Sequence, residues 1–176
     1  EFTDKLSTLI FKPCSTASSI LKAELYLIIN GLINENKIFT HMTINEKITL
    51  HKILRTKKGR LISAEIGSYL GASSCFIANA ISDNSKLYCV DTWSNANMKY
   101  VDEDNDAEER DTYFEFRNNT EQYREKIIEL RQWSTEAINE IKKQTDRLNF
   151  LFIDGDHHYD SVKKDWDLYS PLLKTG

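Results

Sequence analysis

The sequence predicts an α/β domain, a doubly wound parallel sheet carried behind an N-terminal helical extension. Three observations point there. From residue 60 onward, short apolar runs alternate four times with longer stretches at helical spacing, the pattern of β–α–β units. The first run leads into a glycine turn, Gly67-Ser-Tyr-Leu-Gly71. The fourth, LNFLFI at residues 148–153, stops on two carboxylates and two imidazoles: Asp154, Asp156, His157 and His158. In open α/β sheets ligands bind outside the carboxyl ends of the strands, so charge gathered there is the first candidate for chemistry.

Residues 1–17 show little periodicity and hold Pro13 and a Ser/Thr-rich patch, so a loose arm is expected. From Ser19, residues Ile20, Leu21, Leu25, Ile28, Ile29, Leu32 and Ile33 recur at helical spacing. Thr43-Ile-Asn-Glu46 fits a capping box and opens a second helix through Ile48, Leu50 and Leu54, predicted to end at Lys57-Lys58-Gly59. The period then changes. A strand is predicted over 60–66 and a helix through Ser73, Ile77 and Ile81; a second strand over 86–90 ends in Asp91. The polar, acidic stretch 92–111 reads as a loop or insertion, followed by a helix over 113–124 and a strand over 127–130. Trp133-Ser134 leads into a helix ending near Thr145. The fourth strand reads as buried on both faces, and a last helix carries Val162, Trp166, Tyr169 and Leu173, with Trp166, Val162 and Tyr169 expected to pack the core. The expected division is a helical extension over 1–59 and a sheet domain over 60–176.

A chain of 176 residues with 40% apolar and 28% charged content supports one soluble domain with a real core. Its net charge of −4 argues against a nucleic-acid-binding surface. The longest apolar segment, 25–33, is too short to span a bilayer, and no leader opens the chain, so no membrane partner and a cytoplasmic location are expected. Cys14, Cys75 and Cys89 are odd in number and lie in no CxxC pair, which suits free thiols in a reducing compartment. No Cys/His set has the spacing of structural zinc. The acidic run 102–106 fails as a calcium loop because Ala107 stands where that loop needs Gly and Tyr113 where it needs Glu.

The stretch Glu65-Ile-Gly67-Ser68-Tyr69-Leu-Gly71-Ala-Ser73 joins a strand, a glycine turn and a helix start. Glycines admit close backbone approach, and a helix start offers unpaired N–H groups. The spacing is GxxxG rather than the GxGxxG of nicotinamide and flavin sites, and GK[ST] is missing. A structural tight turn would read the same. Asp91 lies about 20 residues beyond the turn, where an acid can accept both ribose hydroxyls of a nucleoside. As a lone residue it reads rather as a helix cap or loop acid; Glu65 and the glycines favour the ligand reading.

Taken in order, EIGSYLGAS, LYCVDTW, QWSTEAI and LNFLFIDGDHHYDSVKKDWDLYSPLLKTG resemble class I S-adenosylmethionine-dependent methyltransferases. The nearest resemblance is to the group with the macrocin and mycinamicin sugar O-methyltransferases and the cephalosporin-hydroxylase-like proteins. It covers residues 61–176 and implies a Rossmann-like sheet. Glu65 and Gly67 would lie along the methionine moiety, Ser68 and Tyr69 within the cofactor turn, and Gly71 and Ser73 at its close. Asp91 would bind the ribose, Thr92 and Trp93 would flank the adenosine, and Trp133 and Ser134 would line the adenine. Asp154 would lie against the cofactor and, in metal-dependent relatives, ligate Mg²⁺; His157 would be the general base. The implied partner is a small-molecule methyl acceptor, with the N-terminal helices as a lid or homo-oligomer surface. In similar enzymes a glycine pair leads on into a fifth strand and then reversed sixth and seventh strands. The sequence holds none of these, so a sheet truncated after the fourth strand and its helix is expected.

The physical case for His157 stands beside the resemblance, since an imidazole titrating near neutrality suits deprotonation of a hydroxyl. His157 and His158 admit a second account, capping or solvation at the start of the last helix, and Asp156 reads either as metal-site support or as that helix's cap. A rival to the enzyme reading is a nucleotide-binding or scaffold domain of the same fold without turnover.

Overall fold

The computed structural model describes residues 15–94 and 110–173. The arm over 1–14 with Cys14, the acidic run 102–106 and residues 174–176 lie outside the described residues. The elements run α1 (Ser15–Asn30), α2 (Ile44–Arg55), β1 (Ile62–Ile66), α3 (Ala72–Ala80), β2 (Lys86–Asp91), α4 (Thr112–Thr120), β3 (Ile127–Arg131), α5 (Ser134–Gln144), β4 (Phe150–Ile153) and α6 (Tyr159–Tyr169). Short 3₁₀ turns follow α1, α4 and α6, at Glu35–Lys37, Glu121–Tyr123 and Ser170–Leu172.

The four strands form one sheet in the order β3-β2-β1-β4, with every pairing parallel. This is a Rossmann-like, doubly wound sheet, and its order reverses between β1 and β4. Parity along β2 sorts the core into two layers. Leu87 and Cys89 face a cluster with Leu54 of α2, Ile77 of α3 and Phe116 of α4. Tyr88 and Val90 face Ile138 and Ile141 of α5, with Tyr169 at the end of α6. Alternate side chains of a strand point to opposite faces, so a strand covered on both sides reads as the continuous apolar run seen here.

The N-terminal helices pack on this core through Ala23, Leu27, Leu32, Ile48 and Phe76. A chain of hydrogen bonds crosses the same junction. Tyr26 Oη meets His51 Nδ1 at 2.7 Å, and His51 Nε2 meets Asn79 Oδ1 at 2.9 Å. Asn79 Nδ2 then donates to Tyr123 Oη (3.2 Å), which donates to Glu35 Oε1 (2.9 Å). Burial holds the His51 imidazole below its usual pKa, which favours a neutral ring inside the chain.

The Thr43 capping box forms as read: Thr43 Oγ1 accepts from Glu46 N–H (3.3 Å) and Glu46 Oε2 accepts from Thr43 N–H (2.7 Å). Several expectations need correction. α1 starts at Ser15, inside the expected arm. α2 stops at Arg55 with Thr56 as its C-cap, so its cationic last turn is Lys52 and Arg55 rather than Lys57 and Lys58. β4 is half-buried at every position because, among the described residues, β1 is the one strand it pairs with. Beyond it, among the same residues, lies one parallel bridge, Leu148 to Leu173. On α6, Tyr169 is buried, but Val162 and Trp166 are 38% and 53% exposed and so do not pack the core. Cys75 and Cys89 are buried free thiols. Among the described residues, no helix is long and apolar enough to cross a membrane.

Candidate active site

The site forms where the strand order reverses, and backbone builds its centre. Gly67 leaves β1 at φ +86°, with its N–H donating to the Val90 carbonyl (2.9 Å). Across the sheet, Asp154 N–H donates to the Ile66 carbonyl (2.8 Å). A Cβ on Gly67 would collide with the Asp154 carbonyl and lie 2.5 Å from Gly155 Cα, so two ligand-facing loops touch here through main chain alone. Gly71 serves a separate purpose. It is the left-handed N-cap of α3, and a Cβ there would meet the Thr120 methyl at 2.7 Å. The GxxxG spacing therefore combines a close approach with a helix start.

Asp91 secures the next shell of backbone. Its Oδ2 accepts from Tyr69 N–H (2.9 Å) and its Oδ1 from Trp93 N–H (2.7 Å). Both partners have positive φ, 43° and 42°, a strained state for non-glycine residues that a buried acceptor can hold. Trp93 Nε1 returns a hydrogen bond to the Tyr69 carbonyl (2.7 Å), which closes the loop pair. Burial raises the Asp91 pKa, and the backbone N–H groups of Trp93 and Tyr69 oppose that rise.

Glu65 is fully buried beneath the turn. Its Oε2 accepts from Ser68 Oγ (2.7 Å) and from Ser74 Oγ, while its Oε1 is buried without a partner. Burial raises its pKa, and the serine hydroxyls oppose the rise.

Two cavities open on either side of this centre. The first, about 390 Å³, brings together Gly67, Tyr69, Asp91, Thr92, Trp133, Ser134 and Asp154 from the sequence-predicted set. Gln132, Lys164 and Asp165 join its wall and were not anticipated. Trp133 is 56% exposed, so much of its ring surface is free. The second, about 800 Å³, includes Ser68, Ser73 and His157 and shares Gly67, Tyr69, Asp154 and Gly155 with the first. Its far wall is Phe39, His41, Met42, Asn45, Thr49 and Ile53 from the N-terminal extension. No local motif marks those residues; the one useful signal is the Thr43 capping box, which fixes where α2 begins. Glu65, Gly71 and Trp93 border neither cavity: Glu65 and Gly71 support the turn from beneath, and Trp93 packs in the core against Tyr113 and Phe116.

The loop after β4 divides its polar residues between two uses. Asp156 Oδ1 accepts from His158 N–H (3.0 Å) and meets His158 Nδ1 (2.5 Å), while Oδ2 accepts from Ser161 Oγ (2.6 Å). The Ser161 hydroxyl, with His158, pulls the Asp156 pKa down to about 2, and Asp156 in turn raises that of His158. These three residues fasten the start of α6, whose N-cap position is His158. His157 projects the other way, to the second cavity. The implied Mg²⁺ finds no ligand set: among the described residues, no three His, Cys, Asp or Glu side chains gather to hold an ion.

Three comparisons bear on this geometry. The sequence model of a family described as "Methyltransferase domain" matches residues 64–176. Among curated proteins, none matches the chain. Solved structures share the fold. An O-methyltransferase from Bacillus cereus in complex with SAH is 16% identical at a TM-score of 0.60, with 99% of this chain and 69% of that one covered. The O-methyltransferase TomG from Streptomyces achromogenes, involved in tomaymycin synthesis and solved with SAM, is 14% identical at a TM-score of 0.60, with 98% and 66% covered. A precorrin-6y C5,15-methyltransferase from Geobacter metallireducens is 14% identical at a TM-score of 0.54, with 78% and 60% covered. The chain thus spans about two thirds of the length of these proteins or less.

Proposed function

The chain belongs to the methyltransferase domain family, and from that premise we propose that it transfers a methyl group from S-adenosylmethionine to a hydroxyl of a small molecule. The observation that carries the reading is a pair of cavities sharing one wall, Gly67, Tyr69, Asp154 and Gly155, at the switch point of the sheet. One cavity suits the nucleoside cofactor and the other the acceptor, with the shared wall where the methyl group passes.

The donor set of the first cavity fits a nucleoside. Asp91 offers acceptor lone pairs toward ribose hydroxyls, Trp133 a flat face for a base, and Ser134 and Thr92 small polar contacts. Gly67 and Tyr69, on the wall shared by the two cavities, take the methionine end; Ser68 and Ser73 continue that turn along the second cavity, with Gly71 and the buried Glu65 holding it in shape. When bound, the cofactor supplies an electrophilic methyl on a sulfonium. His157, on the acceptor side, accepts the hydroxyl proton as the O–CH₃ bond forms and the S–CH₃ bond breaks, leaving S-adenosylhomocysteine. Alignment of donor and acceptor by the shared wall supplies most of the acceleration, with effective molarities worth roughly 7–11 kcal/mol. Asp154 acts here as part of that wall, and no step passes through a metal.

Transfer of labelled methyl to a panel of hydroxylated small molecules tests this reading. Replacing His157 by Ala should lower kcat by about 10²–10⁴-fold, with cofactor affinity kept. An unchanged rate in that variant would remove His157 from the mechanism. The exposed face of α1, with Leu21, Leu25, Ile28 and Ile29, supports self-association through the N-terminal helices. Sedimentation equilibrium on wild type and Ile29→Glu would decide it, a dimer lost in the variant being the expected result.

A further inference from the structure

Asp165 was not anticipated, and its contacts among the described residues do not use all of its acceptor capacity. It lies in the middle of α6, is 7% exposed, and borders the first cavity beside Ser134 and Trp133. Ser134 Oγ donates to its Oδ1 at 2.5 Å, and Ser134 is held in turn by Tyr169, whose hydroxyl donates to the Ser134 carbonyl (2.8 Å). The second oxygen, Oδ2, makes no hydrogen bond among the described residues and is not one of the sealed, unpartnered buried atoms. Asp165 is thus anchored through one oxygen, with the other unbonded among the described residues, and it lines the same cavity as Trp133. The charged neighbours are Lys164 and Asp156, both also on the cavity wall.

We propose that Asp165, positioned by Ser134, selects the base of the nucleoside cofactor by accepting a hydrogen bond from its exocyclic amino group. The inference rests on the reading of the first cavity as the cofactor site. An ionised carboxylate offers acceptors and no donor. Beside a ring stacked on Trp133, it pairs with the amino group of a 6-aminopurine. It would face the carbonyl of a 6-oxopurine acceptor to acceptor, leaving two buried groups unsatisfied. Sites built on such a bond reject the analogue that lacks the donor far more strongly than apolar pockets reject a shape change.

Calorimetric titration of the full chain with S-adenosylhomocysteine and with its deaminated analogue, S-inosylhomocysteine, tests the proposal. Wild type should prefer the adenosyl ligand by about tenfold or more. Asp165→Asn keeps the acceptor for Ser134 but can turn an amide N–H₂ toward the base, so the preference should vanish or invert. Ser134→Ala, which removes the bond that positions the carboxylate, should narrow the adenosyl preference without inverting it, and an undiminished preference would remove Ser134 from the proposal. Each readout is a ratio within one protein, so partial loss of folded material does not affect it. Equal affinity of wild type for the two ligands would overturn the proposal and leave the cofactor assignment standing. So would an equal loss of both in Asp165→Asn, the mark of a purely structural residue. Wild type that binds neither ligand would remove the cofactor assignment and this inference with it.

Discussion

The two cavities that meet at Gly67 are built from different parts of the chain, and they differ in how tightly they are determined. The smaller is made by the carboxyl ends of the strands: Gly67, Asp91, Trp133 and Asp154 each lie at or just past a strand end, and parallel pairing fixes their spacing. The larger takes its far wall from Phe39 to Met42 and the exposed side of α2, which no strand register constrains. On the function proposed above, the sheet would set where the cofactor sits and the appended helical segment what is brought to it. Diverse acceptors can be served by changing one wall while leaving the other intact.

Breaking the shared wall should abolish the distinction and produce the largest effect. Gly67→Ala places a methyl group in backbone at φ +86°, against Asp154 and Gly155. A loss of about 3 kcal/mol or more in urea unfolding is expected, with S-adenosylhomocysteine binding lost as both loops separate. A variant with wild-type stability would show that the loops can part freely. Filling the larger cavity should sharpen the distinction instead. Ile53→Trp, at a half-exposed position of α2, is expected to lower kcat/KM for acceptor by about tenfold through misplacement. Cofactor affinity in calorimetry should stay unchanged, and a parallel loss of cofactor binding would merge the two cavities into one site.

Glu65 gives a pH-dependent effect confined to the turn. Its folded pKa is raised by burial, so the native state holds its proton at pH values where the unfolded chain has released it. Stability is then greatest below the unfolded value of 4.5 and falls as pH rises from there toward the folded value. Glu65→Gln should flatten that fall in urea titrations, and an identical slope in both proteins would contradict the account. The smallest effect belongs to the α6 start. Asp156→Ala removes the acceptor for His158 and Ser161 and should cost about 1 kcal/mol. The contribution of Asp156 is present above pH 3.8 and is lost as pH falls toward 2. That of His158 is full below 6.5 and is lost as pH rises through its raised value. Thermal melts across that range would show both limbs.

The same division governed what the sequence disclosed. Strand β2, buried on both faces, carries a continuous apolar run over 87–90, and the acid that ends it marks the first cavity without reference to distant residues. β4 has an equally apolar run, yet it stands at the sheet edge and is half-buried, because apolar content does not say how many neighbours a strand has. Trp166 was misplaced for a related reason, since helical spacing identifies a face but not whether anything covers it. The resemblance implied that Trp93 flanks the adenosine, but its ring packs inward against Phe116. Asp165 lies inside the last quoted motif, but nothing in that stretch marks it as a site residue, and it reaches the site through the packing of α6 on α5. The wall built by Phe39 and Ile53 arises from tertiary docking alone.

The central claim is that the strand-end cavity is a nucleoside-cofactor site, and isothermal titration of the wild-type chain with S-adenosylhomocysteine tests it most directly. One equivalent bound with submillimolar affinity, with no added metal, is the predicted result. Absence of binding up to millimolar ligand would contradict it.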